Sequence, residues 1–101
     1  MITFIKRADL LKRRAIEREF PLFVDYLRLY VTAGMGVEAA WRSISERLNG
    51  ALGEECRKVA RQVDMGIEFT AALGQMANKL QIDDVRRFVV AESLNLSISS
   101  L

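Results

Sequence analysis

Three observations in the sequence predict an all-α fold. Apolar residues recur at three- and four-residue spacings from about residue 21 to residue 89. No segment alternates apolar and polar residues over a useful length, and a single proline stands among many Ala, Leu, Arg and Glu. The third observation is a phrase written twice, TAGMGVEAAW at 32–41 and DMGIEFTAAL at 64–73. With Gly34 laid over Gly66, Val37 falls on Phe69, Ala39 and Ala40 on Ala71 and Ala72, and Trp41 on Leu73. In each copy a glycine ends one helix, an apolar residue three positions on anchors the next, and small alanines allow close approach. The expected architecture is a compact antiparallel bundle of about five to six helices with an internal helix–turn–helix pseudo-repeat.

The elements follow in order. MITFIKRADLLKRRAIEREF reads as a helix with Phe4, Ala8, Leu11 and Ala15 on one side and bases elsewhere. Pro21 suits a first helical turn, so a second helix begins there or a kink joins it to the first. Between 21 and 33 the polar residues Asp25, Arg28 and Thr32 share one narrow stripe, which predicts a helix nearly surrounded by its neighbours. Gly34 fits the left-handed residue past its end.

The next helix spans about 37–48, with Val37, Ala40, Trp41, Ile44 and Leu48 on one face and a Glu38–Arg42 i,i+4 ion pair on another. Asn49-Gly50 is a turn signal. A helix at about 52–65 carries Leu52, Cys56, Val59, Ala60 and Val63 inward and stops at Gly66. Another at about 68–80 places Phe69, Ala72, Leu73, Met76, Ala77 and Leu80 in register. Asp83-Asp84 opens the last, where carboxylates cap free N–H groups and meet the helix dipole; Val85, Phe88 and Val89 point inward.

A chain of 101 residues supports one modest core, and 50% apolar with 28% charged residues places it among soluble globular domains. The most apolar stretch, FPLFVDYLRLYVTAGM, is interrupted by Asp25 and Arg28, so it is not expected to span a membrane. Lys6, Arg7 and Asp9 break the apolar run that a signal peptide needs. The net charge of +2 is uneven: residues 1–19 hold six bases and three acids, the other 82 hold nine bases and ten acids. The division is therefore a basic leader at 1–19 and a helical-bundle domain at 20–98.

Candidate chemistry is sparse. The absence of histidine removes the commonest general base and metal ligand. Cys56 lies on an apolar helical face and reads as an inert buried thiol. The doublets Glu54-Glu55 and Asp83-Asp84 start helices, where acids are expected for capping. Gly34-x-Gly36 follows a helix and lacks the Gly-Lys-Ser/Thr of a phosphate loop. No catalytic, cofactor-binding or metal-binding residue is assigned, and an enzyme is not expected. Trp41, Phe23, Tyr26 and Tyr30 read as core rather than as a base-stacking surface. The basic cluster Lys12, Arg13, Arg14 and Arg18 admits three readings: a solvated helix face, a juxtamembrane segment facing anionic headgroups, or a nucleic-acid contact.

The repeated phrase, joined by an amphipathic helix bearing Glu55, Val59 and Val63, resembles the cytoplasmic domain of the type II secretion F family. These are inner-membrane platform proteins of type II secretion, type IV pilus and tight-adherence (Tad) pilus machines. The matching positions are Gly34, Val37, Ala40 and Trp41 in the first copy and Gly66, Phe69, Ala72 and Leu73 in the second. Arg86-Arg87-Phe88-Val89 resembles the start of the family's next helix, and PLFVDYLRLYVTAG its opening helix, particularly in the Tad-like branch. The resemblance covers about residues 19–98; where the family's last helix leads to a glycine, this chain has Asn95.

The resemblance implies a non-enzymatic scaffold on the cytoplasmic side of the inner membrane, active in protein transport or pilus assembly. Its partners would be the assembly ATPase, other inner-membrane platform components, and a second copy or paralogue, with membrane spans outside this sequence and no cofactor. The contacts expected for such partners are the charges not used by the core: Arg42, Glu46, Arg47, Arg57, Arg61, Arg86 and Arg87. Lys12, Arg13, Arg14 and Arg18 would lie near the membrane. The alternative is a small helical nucleic-acid-binding regulator using those same four bases.

Overall fold

A computed structural model describes residues 7–99. Five helices follow one another: α1 (Arg7–Thr32), α2 (Val37–Arg47), α3 (Gly50–Asp64), α4 (Phe69–Leu80) and α5 (Asp83–Ser99). No strand occurs among the described residues, as the sequence predicts. Each helix packs on the next in the chain, and α1 also reaches α3 and α5.

The pseudo-repeat is visible in the backbone. At the end of α1, Gly34 N–H donates to the Val31 carbonyl at 3.0 Å and Met35 N–H to that of Tyr30 at 3.1 Å. Thirty-two residues on, Gly66 donates to Val63 at 3.0 Å and Ile67 to Gln62 at 3.0 Å. Both are Schellman closures, in which a left-handed residue lets two N–H groups turn back onto orphan carbonyls. Gly34 and Gly66 have φ of 107° and 97°, a region where a Cβ is strained. Three residues after each glycine the next helix begins, at Val37 and at Phe69. Ala40 N–H donates to Gly36 at 2.8 Å and Ala72 N–H to Glu68 at 2.9 Å.

Trp41 is the hub of the core. It is 1% exposed, and its indole N–H donates to the Cys56 carbonyl at 3.0 Å. Phe23 of α1 meets it edge-on at a centroid distance of 4.8 Å and Phe69 of α4 at 5.8 Å; Phe88 of α5 stacks at 6.2 Å. Four helices thus meet on one side chain. Ala40 and Ala72, both fully buried, occupy the contact faces of α2 and α4, and Leu73 is fully buried beside them.

Several expectations are corrected. Pro21 neither starts a helix nor divides one; α1 runs through it, with Pro21 on the exposed side. Its missing N–H therefore falls where water can serve the free carbonyl. The helix of residues 21–33 is not surrounded. Leu22, Tyr26, Leu29 and Val31 are 56%, 45%, 62% and 43% exposed, because α2, α3 and α5 cover only the side bearing Ile16, Phe20, Phe23 and Leu27. Tyr26 is accordingly not core.

In the leader the inward residue is Ile16, while Leu11 is exposed; Phe4 and the side chain of Ala8 lie outside the described residues. Arg42 pairs not with Glu38 but with Asp64 of α3, at 2.8 Å, a two-pronged contact across two helices. Helix α5 continues past Asn95 to Ser99.

Candidate functional site

Glu55 sits at the centre of the densest cluster of ion pairs among the described residues. It belongs to α3 on the same stripe as Leu52, Cys56 and Val59, and its side chain is 2% exposed. Three ammonium groups converge on it: Lys12 of α1 at 3.1 Å, Lys58 one turn on at 3.3 Å, and Lys79 of α4 at 3.0 Å. Burial acts to raise the Glu55 carboxyl, but the hydrogen bonds from Lys79, Lys12 and Lys58 outweigh it and leave the group below its ordinary value. The hydrogen bond to Glu55 in turn holds the Lys79 ammonium above its ordinary value. Cys56, next in sequence, is pushed well up by burial and then by the Glu55 charge, which makes it a poor nucleophile.

The pH consequence has a definite sign. A carboxyl lowered on folding contributes stability that is complete above its unfolded value, near 4.5, and is lost as pH falls through the folded value. Lys79, raised on folding, contributes below 10.5 and loses its share as pH rises through its folded value. Glu55→Gln is expected to melt below the parent at pH 7, with the difference shrinking below about pH 4.5. Parallel melting curves from pH 7 to pH 3 would show that the cluster carries no such linkage.

The leader bases divide. Lys12 is drawn to Glu55, Arg13 donates to the Gln81 carbonyl at the end of α4 and pairs with Glu17 at 3.5 Å, and Arg14 and Arg18 are exposed. Residues 7–19 are therefore the first half of α1, tied to α3 and α4 by polar contacts and by buried Ile16.

The seven surface charges do not gather into one patch. Arg42 and Glu46 line a shallow depression on α2. The Asp64 contact holds the Arg42 guanidinium above its ordinary value. Arg47 reaches the Tyr30 hydroxyl at 3.3 Å. Arg57 is turned inward: its guanidinium donates to the carbonyls of Ser45 at 3.0 Å and Leu48 at 2.7 Å, closing the end of α2. Arg61 is exposed on α3. On α5, Arg86 lies 3.6 Å from Asp83 and Arg87 3.2 Å from Asp84, both in the first turn and both largely exposed.

Arg87 also borders a groove of about 930 Å³ between α1 and α5, whose apolar wall includes Val24, Leu27, Val31 and Phe88. Within it, burial raises the Glu92 carboxyl against the opposing pull of Arg28. Sequence reasoning assigned neither Glu55 nor this groove.

Among the described residues no group of three or more Cys, Asp or Glu could hold a metal ion, and no helix is long and apolar enough to cross a membrane. What the geometry offers is helix faces: a charged first turn on α5, an exposed apolar stripe on α1, and a basic end where α1 meets α4.

Residues 23–99 match the family model described as Type II secretion system (T2SS), protein F, and the chain belongs to that family. The family comprises inner-membrane platform proteins of secretion and pilus machines, which are structural rather than enzymatic. Comparison with curated proteins and with solved structures gives no match.

Proposed function

We propose that this chain is the cytoplasmic domain of a platform protein of the Tad-like branch, and that it acts by docking rather than by chemistry. It receives the assembly ATPase on its exposed charges and passes the motor's movement to membrane helices outside this sequence. The observation that carries the reading is the first turn of α5. There Arg86 and Arg87 stand 53% and 76% exposed and pair with their own neighbours Asp83 and Asp84, Arg86 also donating to the Gln81 side-chain oxygen at 3.2 Å. Exposed local pairs of that kind contribute little to stability and are free to exchange partners, which suits polar, salt-sensitive and transient contacts.

Arg42, Glu46, Arg47 and Arg61 extend the charged surface over α2 and α3, whereas Arg57 serves the α2–α3 junction instead. The unpartnered stripe Leu22, Tyr26 and Leu29 on α1 supports contact with other platform components or a second copy. Residues 1–19 form the membrane-proximal leader, with Arg14 and Arg18 toward the headgroups. The nucleic-acid reading gains no further observation.

Reversing charge with Arg86→Glu and Arg87→Glu together is expected to impair pilus assembly or secretion in cells while leaving the melting curve of the purified domain within a few degrees of the parent. Normal assembly with the double variant would remove this surface from the account.

A further inference from the structure

Where the N-terminal half of α1 meets the α4–α5 junction there is a second groove, of about 530 Å³. Ile16, Leu80 and Ile82 form its apolar floor, and Lys12, Arg13 and Lys79 its basic rim, with Asp9 as the acid on the lining. Glu55 holds the two lysine ammonium groups from beneath, yet Lys12 remains 39% and Lys79 52% exposed. An ammonium has three donors, so each lysine keeps donors for a ligand in the groove. Arg13 is fixed by the Gln81 carbonyl and by Glu17. The lip is apolar as well as basic: Leu10 is 38% exposed.

We propose that this groove seats an anionic phospholipid, its phosphate between Lys12, Arg13 and Lys79 and its first methylenes against Leu10, Ile16 and Leu80. This rests on the membrane-proximal reading of the leader and deepens it by naming the ligand and a binding residue outside the leader, Lys79. Charge and shape together select the occupant. Free phosphate would use the cations but leave Leu10 in water. A neutral helix would strip water from the remaining ammonium donors of Lys12 and Lys79 and offer no acceptor in its place. A nucleic acid would track a stripe of bases and leave the apolar floor unused. A phospholipid of an anionic membrane satisfies both halves. Glu55 is a positioning residue: its carboxylate holds Lys12 of α1 and Lys79 of α4 at one point, so that two helices present their charge together.

The test is flotation of the full 101-residue chain with vesicles of phosphatidylcholine alone or with added phosphatidylglycerol, beside a titration with inorganic phosphate. Binding is expected for the anionic vesicles only. Lys79→Gln is expected to weaken it about fivefold, the increment of one cation near an anionic surface. Leu10→Ser is expected to weaken it by a similar factor, and Arg28→Gln, toward the other end of α1 and paired with Asp25, to leave it unchanged. Both test positions are partly exposed, and Leu10→Ser leaves the Glu55 cluster intact should Lys79→Gln disturb the fold.

Binding that survives both variants unaltered would overturn the groove while sparing the membrane-facing leader. Absence of binding to anionic vesicles would overturn both. Equal binding to neutral vesicles, or inorganic phosphate binding as tightly as the vesicles without regard to Leu10, would overturn the lipid as occupant.

Discussion

Trp41→Ala is expected to unfold the domain at ordinary temperature or leave it marginal. The indole lies 1% exposed where α1, α3, α4 and α5 converge on α2, with three aromatic rings on it and its N–H on the Cys56 carbonyl. Truncating a buried Trp to Ala costs about 3–5 kcal/mol through lost transfer energy and the remaining cavity. The same change leaves the Cys56 carbonyl without its donor, at a further cost of about 1 kcal/mol. A domain of this size holds about 5–15 kcal/mol in all, so most or all of its margin goes. Denaturant unfolding followed by far-UV circular dichroism checks this. A loss below about 1 kcal/mol would mean that the four helices are not organised around this residue.

Gly53→Ala is expected to be nearly as damaging, although it adds only a methyl group. Gly53 is buried in α3, and a Cβ there would lie 2.0 Å from the Leu48 carbonyl oxygen and 2.7 Å from its carbon. Those atoms are backbone, and the same oxygen accepts the Arg57 guanidinium at 2.7 Å, so neither can yield cheaply. Relief requires the end of α2 to move away from α3, breaking the Arg57 closure and shifting Trp41 on α2. Overpacking of well-packed sites costs about 1–3 kcal/mol, and a clash on backbone belongs at the upper end. Gly74→Ala is the control: its Cβ would meet nothing within 4 Å, and replacing an interior helical glycine stabilises by up to about 1 kcal/mol. Equal melting temperatures for the two variants would contradict this account of the α2–α3 contact.

These two residues also mark how far the sequence could be read. The turns at Gly34 and Gly66 were legible because a Schellman closure is a local event: a glycine, a helical run before it and an apolar anchor three residues later all lie within one phrase. Trp41 was legible as core because its face is written at i, i+3 and i+4. Gly53 was not, since the group that forbids a side chain there, the Leu48 carbonyl, is placed by the angle between α2 and α3 rather than by any pattern.

Glu55 was read as half of a capping doublet, but helix α3 already begins at Gly50, and Glu55 lies a full turn in. A signal was available: Glu55 falls on the stripe of Leu52, Cys56 and Val59, where a carboxylate must find a partner. Which partner was not available, because Lys12 and Lys79 are 43 and 24 residues away. The exposed stripe of α1 was misread for a related reason. Its apolar character is plain in the sequence, but whether an apolar face is covered depends on how many helices the chain has left to cover it. Here α2, α3 and α5 reach α1 only on the side of Phe20, Phe23 and Leu27.

We propose that the domain binds the assembly motor through exposed charge and contributes no chemistry of its own. Titration of the purified chain with the assembly ATPase of its own machine, followed by isothermal calorimetry at two salt concentrations, tests it most directly. The account predicts saturable binding that weakens as salt rises, is lost with Arg86→Glu and Arg87→Glu together, and is accompanied by no ATP hydrolysis from the chain alone. Binding that is indifferent both to salt and to that double variant, or no binding at all, would contradict it.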